Sequence, residues 1–555
     1  MAVFETEVIA SERFFGRAYS EQMKQLFING HIFTSNTEQL YADAMLVGDG
    51  KILWIGSQQD VPEICPDSSD IQIIDIHGQT VIPGFVDAHM HPLMLAEYSR
   101  QIACLPPKVN SIEDLVAEIA HTCEETLEGR WIRGWGYDEG KYLEKRSPNR
   151  DDLDRGCADK PVFLVRSCEH VRCVNSKALE IAGITKNTPD PPGGSIDRDE
   201  NGEPTGILRE NARDLVLPFM PAETEEELVS ALVDLGKLLT SQGIVAVADM
   251  GNLHPGGNYN YYVKASERGF RQRVAMYYMW DYFMDNPDFE ITPQMMDCEN
   301  RIRIAGLKLI GDGSISGRTA WLSKPYLGTE EYGMPVYSDE SLEKAIAFAK
   351  NAGCQISVHA MGERAIDRII DRIYEEDDWT DGNVPYLRVE HLTEPSEQAM
   401  AKATEKGFAF VSQPIFEYCE IETYKANMDE ERLKRIYPFR TELDCGIRLC
   451  LSTDAPATSW AVPSDPFPNI KSAVTRRAYD GTDIGQNERI DLETAIILYT
   501  KNAAEICGFD GLGQLKPGYS ADFAVLNKDI FSIDPARIDE VCVKETYICG
   551  EKVYG

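Results

Sequence analysis

Eight short apolar segments, separated by stretches with helical periodicity, constrain the fold of this chain most strongly. Their richness in Val, Ile, Leu and Ala is typical of strands that are buried on both faces of a parallel sheet. The segments lie at residues 81–88, 244–249, 273–278, 302–309, 355–359, 387–391, 409–412 and 447–452. Helical patterns such as 228–241 and 342–352 lie between them. Eight strands that alternate with helices indicate the α/β class and a (β/α)8 TIM barrel.

Strand-like segments at both ends of the chain predict a second, smaller unit. They lie at 26–29, 44–47, 52–55 and 72–76 near the start and at 522–526, 541–548 and 552–554 near the end. Neither set is large enough to bury a core alone. We therefore expect residues 25–80 and 510–555 to form a composite β-sandwich beside a barrel domain at 81–509. Residues 1–24 form an N-terminal extension, with a helix predicted at 20–25.

The gap between the first and second barrel strands is too long for a connecting loop. It spans about 155 residues, whereas βα loops usually have about 2–6. The gap contains two strand candidates, 131–134 and 162–165, and a stretch rich in Pro, Gly and Asp at 189–202. We predict that residues 92–243 form an inserted subdomain that covers the mouth of the barrel.

The charge of the chain argues against two classes of partner. Its 555 residues include 55 Lys and Arg against 91 Asp and Glu, which gives a formal net charge of −36. Such a surface repels phosphate backbones and anionic lipid headgroups, so we predict neither nucleic-acid nor membrane binding. The expected partner is a small-molecule substrate. A homodimer is expected only from the general prevalence of two-fold assemblies.

The sequence predicts a cytoplasmic protein. No stretch approaches the roughly 18 consecutive apolar residues of a membrane span, and the first residues lack the apolar core of a signal peptide. The 14 Cys are scattered along the chain. In a reducing compartment most of them would be small buried apolar residues.

Metal-ligand side chains recur at the same end of the predicted barrel strands. Four of the nine His end strands, a Lys closes strand four, and an Asp follows strand eight. These residues are His89, His91, His359, His391, Lys308 and Asp454. Active sites of TIM barrels are built at the carboxyl ends of the strands, and residues i and i+2 of a strand point the same way. A single His-X-His pair is more often structural, but the joint pattern predicts a site for Zn, Fe, Ni or Cu.

Three further residues are weaker candidates for substrate binding. His170 lies in the insertion, and its alternative role is that of a surface or packed His. Arg318 follows strand four and would either bind an anionic group or cap its own loop. Gln413 follows strand seven, where its amide could hydrogen-bond the substrate.

Several motifs resemble the amidohydrolase superfamily, and more closely its YtcJ-like branch, the amidohydrolase-3 group. They are PGFVDAHMHP (83–92), RWIRGWGYDE (130–139), VNSKAL (174–179), PTGILRE (204–210), LKLIGDGSISGRTA (307–320), HAMGERAI (359–366), RVEH (388–391), SQP (412–414), STDAP (452–456) and the closing segment 500–526. The resemblance covers residues 25–555 and implies a TIM barrel with a composite β-sandwich. The chain departs from the family pattern at SCEHVRC (167–173).

The resemblance also implies roles for the six clustered residues. His89 and His91 would hold one metal ion, and His359 and His391 a second, with Asp454 as a shared ligand and proton carrier. Lys308 would be carboxylated and bridge the ions, because a carbamate is anionic whereas an ammonium is repelled by two dications. Two Zn ions are expected, with Mn, Fe, Ni and Co as alternatives. A mononuclear site of His89, His91, His359 and Asp454 is the competing arrangement.

These parts predict a metal-dependent hydrolase of carbon–nitrogen bonds other than peptide bonds. A metal lowers the pKa of bound water to about 7, which supplies hydroxide at neutral pH. Asp454 would accept its proton and pass it to the leaving group. Linear amides such as N-acyl or N-formyl compounds are the first expectation. The alternatives are a cyclic amide, a carbamate, an ester or the deamination of a heterocycle, and remotely a catalytically dead scaffold.

Overall fold

The computed structural model describes residues 23–66, 70–167, 170–252, 258–286, 289–380 and 384–555. Most of the predicted N-terminal extension lies outside these residues. The helix predicted at 20–25 is wrong at its described end, because Lys24 and Gln25 begin the strand Lys24–Ile28. That strand pairs with two neighbours of the sandwich, which fixes its extended backbone.

The predicted TIM barrel is confirmed. An eight-stranded sheet pairs each strand with the next along the chain, in parallel, and its first and last strands lie side by side. The strands are Phe85–Met90, Ile244–Asn252, Arg273–Met279, Ile302–Ile310, Gln355–Ala360, Leu387–His391, Ala409–Ser412 and Arg448–Leu451. Small apolar residues such as Ala88, Ala248 and Ala275 fill the barrel interior. The helix Lys501–Cys507 closes the end of the barrel where the strands begin, with Arg303 donating to the carbonyl of Cys507.

The segment predicted as the first barrel strand, 81–88, is divided between two sheets. Thr80–Pro83 pairs with the C-terminal strand Phe523–Leu526 in the sandwich, and Phe85–Met90 enters the barrel. The chain changes sheets at Gly84, where an added Cβ would lie 2.5 Å from Val245 Cγ1. Only glycine permits this close approach. The apolar pattern of 81–88 continues on both sides of Gly84, so it did not show where one strand ends and the next begins.

The composite β-sandwich contains strands from both chain ends. One sheet has the order Lys51–Gly56, Ala44–Gly48, Lys24–Ile28, Ile71–Asp75, and the other has the order Glu551–Tyr554, Val543–Ile548, Phe523–Leu526, Thr80–Pro83, His31–Phe33, Tyr41–Ala42. Phe27 from the first sheet packs edge-on against Phe523 and Tyr547 from the second, with ring centroids 5.1 and 5.3 Å away. The core between the sheets therefore depends on both termini.

The insertion after the first barrel strand folds around its own six-stranded sheet. Its order is Gly194–Arg198, Pro204–Glu210, Val171–Val174, Val162–Arg166, Ile132–Tyr137, Ile102–Ala103. Lys141 reaches the barrel loops and donates to the carbonyl of Cys419. The flanking helices Pro92–Tyr98 and Glu225–Ser241 pack with the main barrel core. The inserted sheet thus occupies only the middle of the predicted segment 92–243.

Helices surround the barrel and fill the insertion. Their bounds are Val61–Ile64, Pro92–Tyr98, Ile112–Glu125, Arg150–Gly156, Ser176–Ala182, Glu225–Ser241, Tyr259–Glu267, Trp280–Phe283, Pro293–Met296, Asp339–Ala352, Glu363–Tyr374, Glu397–Lys406, Pro414–Cys419, Ile421–Asn427, Glu430–Leu433, Phe439–Asp444, Pro466–Thr475, Leu492–Tyr499 and Lys501–Cys507. The two helices predicted at 228–241 and 342–352 are confirmed. Glu225–Ser241 begins at a capping box of Thr224 and Glu227, and Asp339–Ala352 ends at the left-handed Gly353.

Two cysteines depart from the expectation of scattered thiols. Cys123 and Cys157 form a disulfide between the helices Ile112–Glu125 and Arg150–Gly156. The two residues are 34 apart in sequence, so no local spacing indicated the pair. Cys104, Cys354 and Cys450 are buried and free, as expected.

Within the described residues, none of the helices combines the length and apolar character that crossing a membrane requires.

Candidate active site

One cavity at the carboxyl ends of the barrel strands is lined by all six of the clustered residues. Its volume is about 350 Å³, within the usual range for small-molecule sites. The six residues are His89, His91, Lys308, His359, His391 and Asp454. The sequence placed them at the same end of five predicted strands, and the barrel brings these strand ends together.

Asp454 lies at the centre of this group. Its Oδ1 is 3.0 Å from His91 Nε2 and 3.3 Å from His89 Nε2. Asp454 has a positive φ of 56°, and its backbone N–H donates to the carbonyl of His89 at 2.8 Å. The preceding Thr453 donates its hydroxyl to Asp87 Oδ2 at 2.5 Å. Strands one and eight are therefore tied together where their ligand side chains meet.

An irregularity in the first strand turns His89 into the cavity. Asp87 pairs with Val247 and Met90 with Asp249, so the first strand advances three residues while its neighbour advances two. Such a bulge changes which residues face inward. Ala88 packs in the barrel interior, and His89 beside it also lines the cavity.

Glu390 orients His89 and was missed by the sequence analysis. His89 Nδ1 donates to Glu390 Oε2 at 2.6 Å, which leaves Nε2 with the lone pair. Arg388 Nε donates to Glu390 Oε1 at 2.5 Å, and neither side chain of this ion pair is exposed. Burial opposes ionisation, but Arg388 and His89 outweigh it and hold the pKa of Glu390 well below its usual range. The sequence did offer a signal for Glu390. Arg388 and Glu390 are two charged residues at alternate positions of an apolar strand that ends in His391.

His391 is oriented by Gln413. Its Nδ1 donates to Gln413 Oε1 at 2.7 Å, and Gln413 Nε2 donates to Ser452 Oγ at 2.9 Å. The substrate contact of Gln413 stays a prediction, and in the structure its amide contacts His391 and Ser452. Gln413 is fully buried behind His391, and its amide is occupied on both sides.

His359 uses the opposite ring nitrogen. Its Nε2 donates to the carbonyl of Gly313 at 3.0 Å, which leaves the lone pair on Nδ1. The rings of His359 and His391 are 4.4 Å apart between centroids. Burial and the nearby Lys308 lower the pKa of His359 to about 4, and burial also holds the pKa of His391 well below its usual range. Both rings are therefore neutral near pH 7, as metal ligands must be.

Lys308 is a buried cation in the floor of the cavity. Its side chain forms no ion pair within 4.0 Å in the part of the chain that the structure describes, and burial lowers its pKa to about 8. A lowered pKa makes a neutral, nucleophilic amine accessible near pH 7. The position therefore suits covalent modification of Nζ better than a permanent charge.

The donor set fits a divalent metal. Ligand atoms of His89, His391 and Asp454 lie within 4.8 Å of one another, and all three residues are buried. Asp454 Oδ1 is buried without a hydrogen-bond donor, although ring nitrogens surround it. Burial alone would raise the pKa of Asp454, but His89 and His91 outweigh it and hold the pKa well below its usual range. An ionised oxygen beside imidazole nitrogens is the kind of donor set that binds a Zn²⁺-type ion.

The remaining cavity wall is mainly apolar, with few polar groups. The apolar lining includes Met94, Met279, Ile315 and Phe416. Glu420 also lines the wall, and its Oε1 accepts from Ser459 Oγ at 3.0 Å. Glu420 has no recognisable motif in the sequence, because it is the single residue between the helices Pro414–Cys419 and Ile421–Asn427.

Two of the substrate-binding candidates lie outside this cavity. His170 lies beside the inserted sheet, where its side chain is 67% exposed and pairs with Glu210 at 2.9 Å, so its substrate contact stays a prediction. Arg318 lines a neighbouring cavity of about 300 Å³, and Ser316 borders both cavities. Arg318 Nε donates to Asn427 Oδ1 at 2.7 Å, and Asn427 lines the same second cavity.

Comparisons with known proteins agree with this geometry. The model of the Amidohydrolase family matches residues 72–554. The putative amidohydrolase YtcJ of Bacillus subtilis (strain 168) is 30% identical over 551 residues, covering 96% of this chain and 99% of that protein. The N-substituted formamide deformylase of Arthrobacter pascens is 26% identical over 543 residues, covering 95% and 98%.

A solved structure extends the agreement to three dimensions. The crystal structure of an uncharacterized metal-dependent hydrolase from Pyrococcus horikoshii OT3 superimposes with a TM-score of 0.70 and 26% identity. It covers 92% of this chain and 99% of its own. The chain therefore belongs to the amidohydrolase family, in its YtcJ-like branch, and is a metal-dependent hydrolase that acts on carbon–nitrogen bonds other than peptide bonds.

Proposed function

We propose that this enzyme hydrolyses linear amides, of the N-acyl or N-formyl class, at a binuclear zinc centre. The observation that carries the proposal is the buried Asp454 Oδ1, which lies beside His89 and His91 without a hydrogen-bond donor. A relative that is named as a formamide deformylase, 26% identical over 95% of this chain, supports the N-formyl class.

The donor set divides into two groups around Asp454. His89 and His91 would hold one ion, and His359 and His391 the other. Carboxylated Lys308 would bridge them and supply a negative charge that the buried ammonium cannot. A bound divalent metal supplies ionised water at neutral pH and polarises the substrate carbonyl.

Asp454 would carry the proton of the attacking water to the leaving nitrogen, and other side chains orient the histidine ligands. His89 and His91 keep Asp454 ionised. Its buried Oδ1, which has no hydrogen-bond donor, accepts the proton of the attacking water. It then donates that proton to the leaving nitrogen, so that an amine departs. Glu390 and Gln413 fix the tautomers of His89 and His391 and keep their free nitrogens aimed at the centre. The apolar wall, including Met279 and Phe416, limits the access of bulk water.

Arg318 is proposed to bind an anionic group at the far end of longer substrates. It forms no ion pair within 4.0 Å in the described segments, and it lines the second cavity beside Ser316. A substrate that extends past Ser316 would reach its guanidinium. Arg318 would then affect KM for anionic substrates rather than the chemical step.

The test combines metal analysis with a substrate panel. Protein expressed in zinc-replete medium should contain about two Zn per chain, and ¹³C-labelled bicarbonate should give a carbamate signal that Lys308→Ala removes. Zinc-loaded enzyme is then assayed with N-acyl amino acids, N-substituted formamides, lactams, carbamates and esters. We expect the highest kcat/KM with a linear amide.

Matched histidine variants control this test. His89→Ala should lose metal and activity, whereas His121→Ala should keep both, because His121 is an exposed helix residue far from the cavity. Faster turnover of lactams or esters than of every linear amide would overturn the substrate class. Metal-free protein from replete medium would overturn the centre itself.

A further inference from the structure

Glu420 and Asp249 are carboxylates of the cavity wall that the metal chemistry does not use, and Asp249 already accepts from the buried Tyr262 hydroxyl. Glu420 follows the helix Pro414–Cys419, which itself follows barrel strand seven. Ser459 Oγ, from the loop after strand eight, donates to its Oε1 at 3.0 Å and holds that oxygen in place. The side chain is only partly buried, and Glu420 lines the same cavity as Asp454 and Lys308.

The protein does not neutralise this carboxylate. Among the residues that the structure describes, no cationic side chain lies within 4.0 Å of Glu420. Lys141, whose charge acts on Glu420, donates to the carbonyl of Cys419 and lies 3.4 Å from Glu422. By contrast, Glu417 on the preceding helix is paired with the buried Arg476.

The surroundings make an unpaired carboxylate costly. Burial raises the pKa of Glu420 to about 7, and the neighbouring acids Asp138 and Asp454 also raise it, while Ser459 and Lys141 act in the opposite direction. Met94, Met279 and Phe416 make much of the remaining wall apolar. A partly buried carboxylate without an ion-pair partner is stabilised by a cation that arrives with a ligand.

We propose that Glu420 is a specificity-determining residue that binds a protonated amine at the end of the substrate remote from the scissile amide. The preferred substrates are therefore N-acyl or N-formyl derivatives of diamines or similar amine-bearing compounds. This inference rests on the proposed function for the reaction but not for the binding of the amine itself.

Binding is tested first, without hydrolysis. Isothermal titration of the metal-loaded enzyme compares protonated hexylamine with hexanol, which has similar length and no charge. Wild type should bind hexylamine about 10- to 100-fold more tightly, and Glu420→Gln should lose this preference. Gln can still accept from Ser459, so the loop geometry is retained. The matched control Glu431→Gln, at an exposed position, should keep the preference.

Kinetics then connects the amine to the reaction. Mono-N-formyl diamines with spacers of about two to six methylene groups are compared with N-formylalkylamines of equal length. Glu420→Gln should lower kcat/KM for the diamine derivatives by about 10- to 100-fold and change the neutral compounds less than about threefold. Ser459→Ala should give a smaller loss of the same preference, because it frees the carboxylate.

Three outcomes would overturn the assignment of Glu420. They are an equal loss for charged and neutral compounds, a hexylamine preference that survives in Glu420→Gln, and a wild-type enzyme without any preference for hexylamine. If wild type hydrolyses none of the amides, the proposed function fails. The titration with hexylamine still decides the role of Glu420 in that case.

Discussion

Replacing Glu390 by Gln tests whether a buried charge behind His89 holds the metal site together. The carboxylate contacts His89 Nδ1 at 2.6 Å, Arg388 Nε at 2.5 Å and Ser357 Oγ at 2.8 Å, and it is completely buried. Gln keeps the shape and one acceptor but removes the charge. Arg388 would then be a buried cation without a counter-charge.

Two magnitudes follow from these contacts. Removing one partner of a buried ion pair costs about 3–5 kcal/mol, so we expect the free energy of unfolding to fall by that amount. Loss of the group that orients a metal-bound His costs about 10- to 100-fold in metal affinity. The control Glu343→Gln removes a surface pair with Arg372 and should cost at most about 1 kcal/mol.

The double variant Arg388→Met/Glu390→Gln separates the two effects. It removes both charges, so much of the stability should return. His89 then has a neutral amide in place of the carboxylate as its partner, so metal affinity should stay low. Urea unfolding measures stability, and competition with a chelator measures metal affinity. The reasoning is refuted if Glu390→Gln stays within about 1 kcal/mol of wild type and binds zinc within twofold of it.

Three further predictions concern the same cavity. Asp454→Asn should lower kcat by about 10²- to 10⁴-fold while retaining part of the metal, and near-normal turnover would show that another group carries the proton. Gln413→Ala should weaken metal binding by about tenfold and lose activity that excess zinc restores, whereas an activity loss that zinc does not restore would point to substrate contact instead. Arg318→Ala should raise KM for substrates with a distal carboxylate and leave neutral substrates unchanged, and equal effects on both would exclude the anion-binding role.

The barrel and its six cavity residues were predictable because both follow from periodic patterns. Buried parallel strands leave apolar segments, and strand ends in a barrel converge whatever the loops do. The contacts that Gln413 and His170 make in the structure were not predictable, because a polar residue near a strand end can face the cavity or lie behind a ligand. The homodimer and the cytoplasmic location stay predictions, as neither leaves a pattern within one chain.

The inward orientation of His89 and His391 depends on two departures from the regular alternation of side chains between the two faces of a strand. Arg388 and Glu390 face the barrel interior, and Leu387 and Val389 pack outside it, so alternation would place His391 on the outside. Instead His391 has a positive φ of 78°, a conformation that costs a bulky residue energy and persists only where the surroundings enforce it. The bulge in strand one has the same effect on His89. Both distortions bring a His beside Glu390, so one buried carboxylate lies next to both turned ligands. A change at Glu390 should therefore alter the orientation of both His89 and His391. The sequence of either strand alone does not predict this coupling.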